Sequence, residues 1–235
     1  MDACATALRL PQALRASRLF GGLAETTLQR LASASFRRTL VRGERLWSAG
    51  EEASHFFVIT SGLVKIVRAS GAGGNGGIVA ILGPRESLGD AAVLGRHPYP
   101  ADAYAATEIA QVVGVRAEVV LALSDDAAVS AALRAALLRH TEVLQSKIAI
   151  MSAGSVSRRL ATLFSHLAER FGDECDDGST VVPVTLSRTE LAHLVGATVE
   201  TTIRIVSAWQ KADLLATSAT GFVLRGVLAR PAPPP

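Results

Sequence analysis

Cysteine is scarce in this chain of 235 residues: Cys4 and Cys175 lie far apart in sequence. That excludes a disulfide framework or a metal knuckle, which need several cysteines at short spacing. No apolar run approaches the ~18–20 residues of a membrane span, because charges or glycines interrupt each one. The N-terminus, MDACATALRLPQALR, has no basic segment followed by an apolar stretch, so it is not read as a signal peptide, and the cytoplasm is the expected location. The five histidines stand singly, with no H-x-H, no nucleophile elbow and no paired acids in a pocket-like context. An enzyme on a β scaffold would want clustered His and carboxylate ligands, so no enzyme and no metal site are expected. Nor does one charge sign dominate. The net charge is +3, and from Ser152 onward eight Arg/Lys face eight Asp/Glu. Such a balance permits nucleic-acid binding without demanding it. What is present is 49% hydrophobic residues, enough for real cores, in a chain comfortable for two ordinary domains.

The strongest local signal is Ser187–Lys211, SRTELAHLVGATVETTIRIVSAWQK. Ser187 with Glu190 three residues on is a capping box, predicting a helix with Leu191, Leu194 and Val195 on its apolar side. Gly196 breaks that pattern, since glycine enters a left-handed turn without steric cost. Thr198 then offers a hydroxyl to the free amides of a second helix. In it Thr202, Ile205 and Trp209 recur at helical spacing and are expected to face the core. Glu200, Ile203, Arg204 and Ser207 take the opposite face, where an ordinary surface helix shows more Lys and Glu. Two helices, a glycine turn and an Arg/Glu pair near the start of the second make the helix-turn-helix pattern. Its second helix enters the major groove N-terminus first.

Ahead of it, residues 1–18 offer a weak helical pattern interrupted by Pro11, then a short helix with Leu23, Leu28 and Leu31 inward. From Thr39 to Ala122 the segments FFVIT, LVKIVRA, IVAILG and AQVVGVR carry the β-branched residues strands prefer, with turn glycines at Gly43, Gly50 and Gly62. Short strands at this spacing predict a small antiparallel barrel or jelly-roll. Ser70–Gly77, SGAGGNGG, does not open a helix in a βαβ unit, so it reads as a hairpin tip and not a phosphate cradle. Ser124 is expected to cap a long helix, with Asp125 and Asp126 against its dipole. Leu133, Leu137, His140, Leu144, Ile148 and Met151 step along it by threes and fours, and Ala136, Val143 and Ile150 add a second apolar side. Such a helix has two things to pack against, the β-roll and a second copy of itself; a purely intramolecular core helix is the alternative. Ala153–Gly154–Ser155 marks a hinge, and Ser155 caps the next helix, closed by Gly172. VVPVTL predicts a short strand, LLATSATGFVLRGV a two-strand wing, and ARPAPPP an extended tail.

Two stretches together resemble the Crp/Fnr family of bacterial transcription regulators. LSRTELAHLVGATVETTIRIVSAWQKADLL is similar to the family's DNA-binding motif, with matches at Arg188, Glu190, Gly196, Thr198, Glu200, Thr201 and Arg204. The pattern G-E-x-L-W-x-x-G-E-x-A-x-x-F-F-V-I-x-S-G-x-V-K-I resembles the cyclic-nucleotide-binding type of β-roll that precedes it. The resemblance implies an α+β fold: an effector-sensing antiparallel β-roll over residues 1–123, a dimerisation helix and hinge over 124–153, a winged helix-turn-helix over 154–230 and a disordered tail over 231–235. The partners it implies are double-stranded DNA, a second copy of the chain and RNA polymerase, with no membrane.

Roles follow residue by residue. Arg204 can present two donors to guanine O6 and N7, and Glu200 can accept from cytosine N4. The family's matching pair reads the G·C pair of a T-G-A half-site. A favourable charge at a helix start is the alternative for Glu200. Val199 stands where cyclic-AMP-type members carry a second base-reading arginine, and can only touch a thymine methyl; Ile203 stands where the oxygen-sensing branch has serine. Arg188 matches a phosphate-contacting arginine, and Thr198 and Ser207 can reach the backbone or a base edge. For the effector pocket the resemblance points to Asp90, Leu88, Tyr99 and Gln145, with Asp90 at the family's ribose-binding glutamate position. Pro100 and Ala101 replace the Arg-Ser pair that holds the cyclic phosphate, and Leu144–Gln145 the adenine-reading hydroxyls, so cyclic AMP is not the expected signal. One cysteine near the N-terminus cannot hold an iron–sulfur cluster. A haem-based gas or redox sensor stays open, with His55, His97, His140 and Cys4 as axial candidates, although lone histidines are more often structural. His140, in the seam, would fix register or sense pH. A small-molecule-binding module without DNA function is the competing reading, and it predicts no base-reading face.

Overall fold

In the computed structural model the described residues are 9–68 and 77–229, apart from the side chain of His140. Cys4, the Ser70–Gly77 tip save its last residue, and the proline-rich tail lie outside them. Helix α1 (Leu10–Ala16) and α2 (Glu25–Ser33) lead in. Pro11 does not interrupt α1: it sits in the first turn, where its missing N–H has no partner to lose, so it opens the helix. Leu23, Leu28 and Leu31 are buried, as expected.

The β-roll consists of β1 (Ser35–Val41), β2 (Arg45–Trp47), β3 (His55–Ser61), β4 (Val64–Arg68), β5 (Gly77–Leu82), β6 (Ser87–Leu88), a short α3 (Asp90–Leu94), β7 (Asp102–Ala105) and β8 (Ile109–Arg116). They form two four-stranded antiparallel sheets, ordered β1-β8-β3-β6 and β2-β7-β4-β5. The two central strands β3 and β8, paired Phe57 to Gly114 and Val58 to Val113, bury both faces. Phe57, Ile59, Ala110 and Val112 pack between the sheets. Phe56, Val58, Val113 and Val115 pack outward against α1, α2 and the long helix, which explains a continuous apolar run in place of strict alternation.

After α4 (Ala117–Leu121), the long helix α5 covers Ala127–Ser152. Its cap is Asp126 and not Ser124: Asp126 Oδ1 accepts from the amides of Ala128 (2.8 Å) and Val129 (3.2 Å). The chain is still turning after α4 at Ser124, whose amide donates to Leu121 O, so the helix starts later. Val129, Leu133 and Ala136 of α5 join the core beneath the β-roll.

The last unit is α6 (Val156–Phe171), β9 (Asp173–Glu174), β10 (Thr180–Val182), α7 (Arg188–Val195), α8 (Val199–Lys211), β11 (Leu215–Thr217) and β12 (Phe222–Leu224), with its sheet ordered β11-β12-β10-β9. Ser155 caps α6 by accepting from the Arg158 amide. The strand in VVPVTL stops at Val182, because Pro183 has no N–H to continue the ladder. Leu163, Phe164, Val182, Leu191, Val206 and Phe222 share one apolar cluster with Leu63, Ile78, Ile81 and Ala106 of the β-roll. The two units are therefore docked. Gly83 marks the closeness: a Cβ there would lie 2.5 Å from Phe171 Cε1. Among the described residues, no helix is long and apolar enough to cross a membrane.

Candidate nucleic-acid interface and effector cavity

The helix-turn-helix is held by closed local hydrogen bonds. Ser187 Oγ accepts from the Glu190 amide (3.1 Å) while Glu190 Oε2 accepts from the Ser187 amide (2.8 Å), a complete capping box. Gly196 takes the left-handed conformation at φ 59° and ψ 52°, ending α7. The orphan carbonyls at that end are capped by two cations. Lys147 Nζ of α5 donates to Leu194 O (2.5 Å), and Arg159 Nη1 of α6 donates to Val195 O (2.7 Å) and Gly196 O (3.2 Å). Burial pushes the Lys147 ammonium below its ordinary pKa. Thr198 Oγ1 accepts from the Thr201 amide (3.2 Å) and starts α8.

Thr202 is fully buried, as is Val206, which the sequence reading did not place in the core although it stands four residues after Thr202. Ile205 and Trp209 pack at the edge of the same cluster, Trp209 edge-on to Phe164 at 6.2 Å. The other face is open. Glu200, Ile203 and Arg204 are exposed, with Val199 and Ser207 half-buried beside them. Among the described residues neither Glu200 nor Arg204 is in an ion pair. Thr198 is exposed at the helix start, and Arg188 is half-buried where α7 packs on β5; burial pushes its pKa down.

The same α7 is tied to the β-roll by Lys65 Nζ, 2.5 Å from Glu190 Oε1. Burial alone would raise the Glu190 pKa, but Lys65 and the Ser187 amide outweigh it and hold the carboxyl below its ordinary value. Arg170 of α6 donates to both oxygens of Glu86, at 3.0 and 2.8 Å. None of these partners carries a local sequence signal, because each pair spans dozens of residues.

Between the β-roll and α5 lies a cavity of about 380 Å³, walled by Trp47, Ile66, Leu82, Leu88, Val143 and Leu144. Asp90 is buried in its lining, with Oδ2 accepting from Ser87 Oγ (2.9 Å) and Oδ1 from the Ala91 amide (3.0 Å). Tyr99 also lines it, but its hydroxyl donates to His55 O (2.9 Å); burial, only partly offset by that bond, pushes its pKa to about 12. Pro100 and Ala101 complete that wall. Gln145 does not belong to it: helical geometry turns it outward to solvent while Leu144 and Ser146 border the space. The residue the sequence reading missed is Arg139, whose Nη2 is buried without a hydrogen-bond partner.

The described histidines lie elsewhere. His55 meets Phe36 edge-on (5.3 Å) with Nδ1 2.9 Å from Ser54 Oγ, and burial first, then Arg116, lowers its pKa. His97 Nδ1 is 2.9 Å from Pro98 O. No described histidine borders the cavity, and the Tyr99 hydroxyl that does is committed to His55 O, so no described residue there offers haem a free axial ligand; the His140 side chain lies outside the described residues. Among the described residues no group of three His, Cys, Asp or Glu could hold a metal ion. On α5, Leu137, Leu144, Ile148 and Met151 are exposed at 45, 56, 64 and 42%, joined by Leu138 at 67%. Leu133 is not available to that stripe: it is buried in its own protomer's core, packed with Val129 and Ala136.

The chain matches the cyclic nucleotide-binding domain over residues 37–126 and the Crp-like helix-turn-helix domain over residues 158–225. A CRP-like cAMP-activated global transcriptional regulator of Mycobacterium tuberculosis is 29% identical over 160 residues, 68% of this chain and 70% of that protein. The c-di-GMP responsive global regulator CLP of Xanthomonas campestris superposes with a TM-score of 0.68 at 19% identity, covering 86% of this chain and 100% of that one. FixK2 from Bradyrhizobium japonicum superposes at 0.66 and 20% identity, covering 82% and 93%. These two likenesses show the fold.

Proposed function

Since the chain belongs to the Crp/Fnr family of bacterial transcription regulators, we propose that it acts as a homodimer on a palindromic DNA site under control of a signal bound in its β-roll. The observation that carries this is the open face of α8, where Glu200 and Arg204 stand exposed, one turn apart, with no ion-pair partner among the described residues. A carboxylate on a DNA-facing helix is repelled by phosphates unless it accepts from a base, and cytosine N4 is the donor it fits. The pair then reads one G·C, giving T-G-A and T-C-A arms centred about one helical turn apart. Val199 adds no donor outside that core. A module without DNA function would give α8 no such face. RNA polymerase is the expected partner once DNA is bound, catalysis has no part in the function, and the cytoplasm is where it would act.

Selection from random DNA tests the reading. Enriched sites should carry T-G-A arms, and Arg204→Ala should cost about 1–3 kcal/mol and relax choice at the G·C pair. Sites without those arms, or an Arg204→Ala loss that is equal on every sequence, would sink the assignment. The Mycobacterium relative is cAMP-activated. Here Pro100 and Ala101 offer no charge to a cyclic phosphate at that wall, so cyclic AMP at millimolar concentration should leave both thermal stability and DNA binding unchanged. A saturable rise in melting temperature would overturn this.

A further inference from the structure

Most of the buried polar groups in the cavity between the β-roll and α5 are already committed. Asp90 is already hydrogen-bonded to Ser87 and the Ala91 amide, and the Tyr99 hydroxyl is committed to His55 O. At the rim Arg170 donates to Glu86, and Arg18 lies 3.8 Å from the same carboxylate. Arg139 alone among the cations lining the cavity has a terminal nitrogen that is buried with no acceptor. Glu142, three residues on, is exposed at the opening and lies beyond ion-pair distance of it. A guanidinium cannot shed its proton at accessible pH, and it presents its donors in a planar fork suited to carboxylate or phosphate. Leaving one of those donors dry and unpaired is unfavourable. A neutral oxygen could accept from that nitrogen, but an anion makes the stronger, charge-assisted bond and also compensates the buried charge. The remaining walls, Trp47, Ile66, Leu82 and Val143 among them, suit an apolar body, and the volume of about 380 Å³ is that of a small-molecule site.

We propose that this cavity takes an organic acid with an apolar body and a single anionic head group, and that Arg139 of α5 holds the head. The charge is thus met from the long helix and not from the sheet wall, where Pro100 and Ala101 stand. The inference rests on the reading of the β-roll as a sensor and specifies its ligand. Because α5 also carries the exposed stripe of Leu137, Ile148 and Met151, an anion bound to Arg139 ties the β-roll to the helix that would join two copies. The ligand then has a differential interaction with helix positions, which is what a signal requires.

The test uses the full chain and calorimetric titration with 4-phenylbutyrate, phenyl phosphate and the neutral 4-phenylbutyramide. The two acids offer a carboxylate and a phosphate, which differ in charge at neutral pH as well as in spacer length, so saturable binding of either supports an anionic head group. The expected result is saturable binding of an acid at least ten-fold tighter than the amide. Arg139→Met should lose at least ten-fold in acid affinity, lose less for the amide, and raise the melting temperature of the empty protein, since it removes the unpaired nitrogen. An arginine with only a structural role would instead lower that temperature. Arg139→Lys, which keeps the charge but loses the planar fork, should have an acid affinity between those of the wild type and Arg139→Met. Equal binding of acid and amide, undiminished acid binding by Arg139→Met, or no acid binding at millimolar concentration would overturn the proposal. Acid binding that leaves DNA affinity unchanged would support the ligand class and overturn the sensor reading, so the two fail separately.

Discussion

The helix-turn-helix and the cavity are finished to different standards. At the turn between α7 and α8, the capping box, Gly196, Lys147, Arg159 and Thr198 supply partners for the backbone groups of the helix ends, although Arg159 Nε and Thr185 Oγ1 of the same unit are buried without a partner. In the cavity the apolar walls are in place but Arg139 keeps a buried nitrogen unpaired. A surface that reads DNA must hold its shape before DNA arrives, so its own groups close its hydrogen bonds. A surface that must respond has to gain something on binding, and an unsatisfied donor is a place to gain it. The open face of α8 fits the first description: its charged side chains are free while the backbone beneath them is fixed.

The seam of α5 offers the largest break in this comparison, because it would serve both regions at once. Replacing Leu137 and Ile148 by Glu puts like charges into an apolar contact without touching the cavity wall. Light scattering should then report a monomer, and DNA affinity should fall by roughly 10²–10⁴ as one half-site loses its linked partner. A dimer that survives both substitutions would put the seam elsewhere. A smaller effect sharpens the other side. Gly196→Ala forces a side chain into a left-handed residue at φ 59°, which costs about 1–2 kcal/mol. The new Cβ would also approach Met151 Cε at 2.6 Å, but a methionine tip moves aside, so the backbone decides the outcome. Thermal melts should show the loss; an unchanged melting temperature would mean the turn is not held in that conformation.

The same contrast explains what could be read from the chain alone. The capping box at Ser187, the Gly196 turn, the Thr198 cap and the Ser155 cap are all interactions of residues three or four apart, and each was legible. So were the strands, since their β-branched runs are local. The start of α5 depended on geometry that sequence does not carry: Asp126 and not Ser124 is its cap, because the chain is still turning after α4. Leu133 and Leu137 occupy the same repeat, yet only the position of the β-roll decides that the first is buried and the second exposed. Gln145 faces out and Arg139 in for a related reason, as a helix of known spacing still has an unknown rotation against its neighbour. Lys65 with Glu190, 125 residues apart, had no signal at all.

That last pair is the smallest effect and the most direct link between the two regions. Glu190 belongs to the capping box of the DNA-binding unit, yet its second oxygen is held by Lys65 of the β-roll, with both side chains about one-fifth exposed. Glu190→Gln keeps an acceptor for the Ser187 amide and removes only the charge facing Lys65. The expected loss is modest, about 0.5–1 kcal/mol, because the pair is partly solvated. Its pH dependence carries the sign. A carboxyl whose folded-state pKa is depressed stabilises the folded protein above the ordinary value of 4.5, and that contribution disappears as pH falls through the lower folded-state value. Wild type and Glu190→Gln should therefore differ in melting temperature at pH 7 and converge as the buffer is taken below pH 4.5. Salt should narrow the gap at pH 7 in the same way, though less than for a fully exposed pair, since screening weakens a partly exposed pair. A gap that stays constant down the pH range would mean that Glu190 acts here through packing, and that its charge has no part in docking the two units.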